Sequence, residues 1–433
     1  MDVKKKIEKK HNKKKNTHKK VNKDKKIIKN NLFDKIKKIN KKKDVYGVKD
    51  IIVIMLFSLT IGFVMCFICM SIFAGKNFIS VVNDLDKVID TYYAIVDNYY
   101  GDFNKDKLID GAVNGMINSV GDVFTSYSDA ESTIYFDETI NGSYDGIGAT
   151  VATYSDGSIV VIDVFEGSPS DSAGLMINDR IIKVDNVSYE GKTSNEISDY
   201  IKNSGKKSVV LTILRGEEEK DITINLGKVE IPYVSDQIID VEDKKIGYID
   251  ISLFSDNSYK QFKSKLEELE KRNITGLIID VRDNNGGYLT SVTDICELFL
   301  NKGDVIYQLE DESGIEKKKD KTKENRDYDV AVIINSGSAS ASEIFASVIK
   351  ENYNGYVVGT NSYGKGTVQQ TKKLLDGSMI KYTTQKWLTP NGNSVEDIGV
   401  VPTNYVELSE EYLLNPSIDT DNQISEAIKL LIK

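Results

Sequence analysis

Histidine is nearly missing from this chain. Of 433 residues only His11 and His18 are histidines, and both lie in a lysine-rich N-terminal tail. Hydrolytic chemistry beyond that tail therefore has no imidazole base, and a zinc site there would have to be made from carboxylates. Cysteine is almost as scarce. Cys66 and Cys69 fall inside one apolar run and Cys296 stands alone after it, so no internal disulfide can form beyond the run. DICELFL places Cys296 on an apolar helix face with no histidine to activate it, which reads as a buried structural thiol. Arginine is missing from the first 50 residues, and aromatic residues are rare there. That composition argues against a nucleic-acid-binding arm.

What those 50 residues do hold is lysine. They carry 21 lysines against six acidic residues, a net charge of +15, whereas the remaining 383 residues carry 36 basic and 60 acidic residues, a net −24. Between the two regions lies Ile51 to Ala74, IIVIMLFSLTIGFVMCFICMSIFA, 24 residues without a charge. About 20 such residues cross a bilayer core of ~30 Å. The run exceeds the ~15 apolar residues of a signal peptide and has no evident small-residue cleavage site. The expectation is a single span in the cell membrane, with a basic cytoplasmic tail at residues 1–50 and everything after 74 on the other side. The lysines can also lean on anionic lipid.

Beyond the span, residues 78–135 have helical spacing, with Val82, Leu85, Val88 and Ile89 on one face. This region reads as a packing or oligomerisation segment, and a homo-oligomer is expected. Residues 144–230 change to short β-rich runs (SIVVIDV, DRIIKVDN, SVVLTILR, DITINL) broken by the helix SNEISDYIKNSG. The stretch EGSPSDSAGLMINDRIIKVDNV, together with YDGIGA at Tyr144–Ala149, resembles a PDZ domain in its bacterial arrangement. In such a domain Gly146, Ile147 and Gly148 point backbone N–H groups at a chain-terminal carboxylate, while the next strand edge pairs with the incoming peptide. Residues 231–406 alternate strands and helices: KIGYIDI, SYKQFKSKLEELEKRN, GLIIDVR, DICELFL, VAVIIN and YVVGT. That order implies a largely parallel sheet with functional loops at its strand C-termini. The charged stretch 309–328 reads as an exposed loop, and 407–433 as a C-terminal helical segment.

Three loops follow three of those strands: DVRDNNGG (280–287), NSGSASASE (335–343) and GTNSYGKGTVQQ (359–370). In the second, a strand ends at Asn335 and a helix starts among Ser338, Ser340 and Ser342, where the positive helix end favours a developing anion. Without histidine the base must be another residue. A lysine serves if burial lowers its pKa, and Lys365, flanked by glycines after a buried strand, is the best-placed candidate. GTNSYGKGT is not a phosphate loop, since the glycine spacing is short and no helix follows.

The three loops behind a PDZ domain are similar to those of the carboxy-terminal processing (tail-specific) serine peptidases, over roughly residues 80–406, including KYTTQKWLTPNGNSVEDIGVVPT (381–403). The resemblance implies an α/β peptidase domain with a ClpP/crotonase-like sheet, an inserted mainly-β PDZ domain, an N-terminal helical region and one transmembrane helix. It assigns the nucleophile to Ser340, the base to Lys365 at 25 residues' distance and the orienting glutamine to Gln369. Oxyanion N–H groups would come from Gly286 or Gly287 and from Ala341. Arg215, in LTILRG, is the candidate for a substrate-sensing arginine. Two departures are minor: Val123 stands in GDVFTSY where proline is usual, and VPT replaces Pro-Asp near the end. The implied substrates are proteins or peptides with apolar C-termini, with no cofactor and no metal. The competing reading is a silent PDZ scaffold tethered to a membrane. Crotonase-like acyl-CoA chemistry fits the sheet but not the PDZ domain, and trypsin-like PDZ proteases need a histidine base.

Overall fold

The structure, a computed structural model, describes residues 30–31, 47–73 and 78–433. Most of the basic tail and Ala74, the expected end of the span, lie outside the described residues. The chain divides into two compact units, the first ending at Lys105 and the second running from Asp106 to Lys433.

In the first unit, Val48–Phe73 is one helix of 26 residues. At 1.5 Å per residue it is about 39 Å long, and its apolar window, Val48–Cys69, is long and apolar enough to cross a membrane, with no part of it buried. The helix Phe78–Asn98 follows.

The helix Lys105–Asn118 starts at the last residue of the first unit and opens the second, but the helical pattern expected through 135 breaks. Ser126–Ser128 is a strand paired antiparallel to Lys381–Met379, and a new helix runs from Ala130 to Asn141. The Asp122 side chain accepts from Phe124 N and Thr125 Oγ1, closing a turn that ends the helical periodicity.

The strand pair Ser143–Gly146 and Gly227–Glu230 marks where the chain enters and leaves a smaller sheet. That sheet holds the strands 149–153, 159–164, 180–184, 208–215 and 218–225, in that order. Its two helices have sequence-encoded ends. Ser168 caps Pro169–Ala173, which Gly174 terminates at φ 81°. Thr193 and Glu196 form a capping box at Ser194–Asn203. Its core is aliphatic, built on Val161, Val184, Leu211, Ile213 and Ile224, all fully buried.

The larger sheet orders its strands 234–241, 244–251, 276–280, 329–334, 356–359 and 404–405. All pairings are parallel except the first. GLIID and VAVII are continuous apolar runs because both sheet faces are covered. Helices Ser258–Lys271, Leu289–Cys296 and Ala341–Val348 cover one face, burying Phe262, Leu266, Phe299 and Phe345. The C-terminal helix Asn422–Leu431 covers the other with Ile424, Ala427 and Leu430. Cys296 is fully buried on the first of these faces, and burial pushes its thiol pKa well up. The charged stretch 309–328 is a loop only in its second half, from residue 320. Val305–Asp311 and Gly314–Lys319 form a hairpin whose turn Asp311 stitches by accepting from Ser313 N. Its outward faces are solvated, which hides the β-pattern under charge.

Candidate active site

The parallel topology brings the three glycine- and serine-rich loops to one edge of the larger sheet. Ser340 follows the strand Asp329–Ile334 and immediately precedes the helix Ala341–Val348. Its backbone is left-handed, φ 54° and ψ −110°, a conformation costing ~1–3 kcal/mol for a residue with a side chain. The three serines differ in what their hydroxyls do. Ser338 Oγ donates to Val281 O at 2.7 Å and Ser342 Oγ donates to Asn284 O at 2.8 Å, and both side chains are fully buried. Ser340 Oγ donates to no group among the described residues; it lies toward the Glu343 N–H in a capping-box arrangement, so of the three hydroxyls it is the one whose proton is not given to a carbonyl.

Two buried side chains hold the turn, and neither stood out in the sequence. Asn284, fully buried, donates to Ile251 O and accepts from Gly286 N, while its backbone oxygen receives Ala339 N at 3.0 Å. Glu343, also fully buried, receives four donors. Oε2 accepts from Ser340 N at 2.7 Å and Lys365 N at 2.9 Å; Oε1 accepts from Ser362 Oγ at 2.6 Å and Gly364 N at 2.7 Å. A carboxylate read as a first-turn helix acid is thus the rivet between the serine turn and the lysine loop. The only sequence signal was its place three residues after Ser340 in a small-residue turn.

The glycine loop sits against the same turn. A Cβ on Gly286 would lie 2.9 Å from Ser340 Cβ and 3.0 Å from Ala341 N. Gly287 has φ 141°, and a Cβ there would lie 2.2 Å from Phe254 O, so only glycine fits. The Gly286 N–H is already used by Asn284 Oδ1 at 2.8 Å. Those of Gly287 and Ala341 have no acceptor among the described residues. Of the three expected oxyanion donors, these two are the available ones.

Lys365 is partly buried in its loop. Trp387 Nε1 donates to its carbonyl oxygen at 2.7 Å. Its Nζ lies 4.7 Å from the Phe124 ring centroid. Burial lowers its pKa below the ordinary lysine value, helped by Lys381 and opposed by Glu343, Asp122 and Glu396. Among the described residues Lys365 Nζ makes no hydrogen bond, to Ser340 or otherwise. Such contacts are often long in ligand-free sites. Gln369 sits nearby on the strand Thr367–Lys373, but its amide donates to Thr367 Oγ1 and Thr383 Oγ1, at 3.0 and 3.1 Å, not to Lys365.

Away from this edge, the smaller domain offers a groove. A cavity of about 450 Å³ is lined by Gly146, Ile147, Ala149, Val151, Ile197 and Ile201. Glu138, Asp145, Asp199 and Lys202 also stand on its walls. Gly148 has φ 75° and would place a Cβ 2.3 Å from that of Ser168. The Ile147 N–H is without an acceptor among the described residues. Tyr144 also lines the groove, and burial raises its phenol pKa, with the Gly148 N–H opposing. Arg215 lies elsewhere. Its guanidinium grips Asp179 bidentately at 2.7 and 2.6 Å and donates to Gly174 O at 2.8 Å. The group is committed to an ion pair inside its own domain, so the expected sensor contact to the catalytic loops is not made. Among the described residues no group of three His, Cys, Asp or Glu side chains could hold a metal.

Comparison with known proteins gives three matching regions. Residues 245–406 match Peptidase family S41, 145–226 a PDZ domain, and 73–132 the activating protease CtpB N-terminal domain. The chain is 36% identical over 361 residues to the carboxy-terminal processing protease CtpB of Bacillus subtilis (strain 168), covering 81% of this chain and 75% of that one. It is 31% identical over 335 residues to a probable CtpA-like serine protease of Staphylococcus aureus (strain MRSA252), covering 77% and 66%. Among solved structures, the photosystem II D1 C-terminal processing protease aligns at 23% identity with a TM-score of 0.44, over 74% of this chain and 86% of that one.

Proposed function

The chain belongs to the carboxy-terminal processing serine peptidases of family S41, and on that premise we propose a membrane-anchored endopeptidase working by a Ser-Lys mechanism. The carrying observation is that Glu343 joins the turn of the one serine whose hydroxyl donates to no neighbour to the loop of a lysine whose pKa burial lowers. The neutral form of Lys365, which burial favours, takes the proton of Ser340 Oγ as that oxygen attacks a peptide carbonyl. The oxyanion forms against the Gly287 and Ala341 N–H groups, each such donor being worth ~3–4 kcal/mol of transition-state stabilisation. Lys365 then gives its proton to the leaving amine, and water hydrolyses the acyl-enzyme by the reverse sequence. Gln369 supports the strand that follows the lysine loop through Thr367 and Thr383.

The substrate's C-terminal tail docks in the apolar groove, its carboxylate at Gly146–Gly148 and its last side chain toward Ile197 and Ile201. The helix Val48–Phe73 anchors the enzyme, with the lysine-rich side cytoplasmic and the peptidase outside. The working form is a homo-oligomer built through the N-terminal helices. Incubating the full chain in detergent with a protein ending in an apolar tail should give cleavage. Full activity in Ser340→Ala or Lys365→Ala would sink the mechanism. Serine labelling by a fluorophosphonate in wild type but not in Ser340→Ala distinguishes an enzyme from a silent scaffold.

A further inference from the structure

The turn that breaks the N-terminal helical pattern lies beside the lysine. Its backbone is fastened by the strand Ser126–Ser128, whose Ser126 pairs with Lys381. Thr383 N donates to Thr125 Oγ1 at 3.3 Å, and Asp122 adds further connections. Oδ1 accepts from Phe124 N at 3.1 Å, and Oδ2 accepts from Thr125 Oγ1 at 2.5 Å and Thr383 Oγ1 at 2.6 Å. Thr383 Oγ1 is also the acceptor for Gln369 Nε2. The turn is therefore bolted to the strands that carry Gln369. That fixes the Phe124 ring with Lys365 Nζ 4.7 Å from its centroid, within the range at which a ring face attracts an ammonium.

We propose that the turn Gly121–Thr125 is the seat of the catalytic lysine, with Phe124 and Asp122 as positioning residues that hold the Lys365 side chain and set its charge. The inference rests on Lys365 being the base. A lysine stem has about 2 kcal/mol of rotamer entropy to lose, and no hydrogen bond among the described residues restrains this one. The Phe124 ring does so by covering one side of the ammonium's approach. Four charged groups face that ammonium: Lys381 from the strand Met379–Leu388, Glu343 from the serine helix, Glu396 from the loop before Gly399, and Asp122 from the seat. Lys381 favours the neutral amine and the three carboxylates favour the cation. The ring also favours the cation. Removing either the ring or the Asp122 charge lowers the lysine's ionisation, so the acid limb of reactivity moves to lower pH.

The experiment measures fluorophosphonate inactivation of the full chain in detergent against pH, for wild type, Phe124→Leu, Phe124→Tyr, Asp122→Asn and Lys365→Ala. The acid limb of Phe124→Leu should fall by about 0.4–1.5 pH units, the span a cation–π contact covers. Its plateau rate should drop about 10–100-fold as the lysine loses its place. Phe124→Tyr keeps the ring face and should restore both. Asp122→Asn should move the limb in the same direction, and it supplies that readout if the leucine variant melts early. An unmoved limb in Phe124→Leu and Asp122→Asn, with Lys365→Ala unreactive, overturns the seat and leaves the base assignment standing. Wild-type labelling of Lys365→Ala overturns the base assignment itself. A lowered plateau with an unmoved limb makes Phe124 only a packing residue, which also overturns the proposal.

Discussion

Replacing Glu343 with glutamine keeps the size of the side chain and removes one acceptor oxygen and the charge. In the wild type two donors meet each oxygen, Ser362 Oγ and Gly364 N at Oε1, Ser340 N and Lys365 N at Oε2. A glutamine must turn its NH₂ toward one of those pairs. Ser362 can answer by accepting instead, because its hydroxyl rotates, so the amide will face Ser362 and Gly364. One backbone N–H is then orphaned, and the three remaining contacts lose their ionic character. Each hydrogen bond to a charged group is worth ~1.5–3 kcal/mol, and the site is too buried for water to substitute, so the loss is ~3–5 kcal/mol. If about 3 kcal/mol of it falls on the geometry between Ser340 and Lys365, kcat/KM drops roughly 100-fold at 1.36 kcal/mol per decade. The remainder lowers the melting temperature. The assay is cleavage kinetics on the full chain beside a thermal melt. A variant within threefold of wild type in kcat/KM, with an unchanged melt, would refute the rivet.

Other consequences are as direct. Gly287→Ala drives a methyl into the Phe254 carbonyl and should cost at least about 100-fold in kcat/KM through the displaced oxyanion donor, measured beside Gly286→Ala as a companion. Because the base must be neutral, kcat/KM should rise with pH through an ionisation below the ordinary lysine value of 10.5; a rate flat from pH 5 to 9 contradicts a lysine base. Asp250 is raised from 3.8 to about 6, chiefly by burial and then by Asp280. A folded state that binds more protons than the unfolded one loses stability as pH rises between those values, so Asp250→Asn should raise the melting temperature at pH 7 and not at pH 4. Arg215→Ala strands Asp179, 1% exposed, and should destabilise the smaller domain by ~2–3 kcal/mol, seen as an earlier melting phase.

Strands of the larger sheet were readable because burial on both faces demands unbroken apolar runs, and the ends of Pro169–Ala173 because Ser168 and Gly174 are local devices. The hairpin inside 309–328 was not, since its exposed faces carry the same charges a loop would. Nor was the strand Ser126–Ser128, three residues long, which exists only because residues 379–381 lie opposite. Arg215 illustrates the same limit for a side chain. A strand-end arginine has no partner in one dimension, and Asp179, 36 residues earlier, supplies it in three.

By itself the sequence determined that no histidine could act beyond the tail, that three loops follow three strands, and that small residues crowd the second loop. Those are facts of composition and local periodicity. Only the tertiary structure distinguishes the surroundings of the three serines, because the carbonyls of Val281 and Asn284 fold against Ser338 and Ser342 and none folds against Ser340. It alone joined Glu343 to the lysine loop and Phe124 to Lys365, pairs separated by 19 or more residues. Hydrogen bonds and ring contacts act within a few ångströms of space, and nothing in the order of residues states which distant segments come that close.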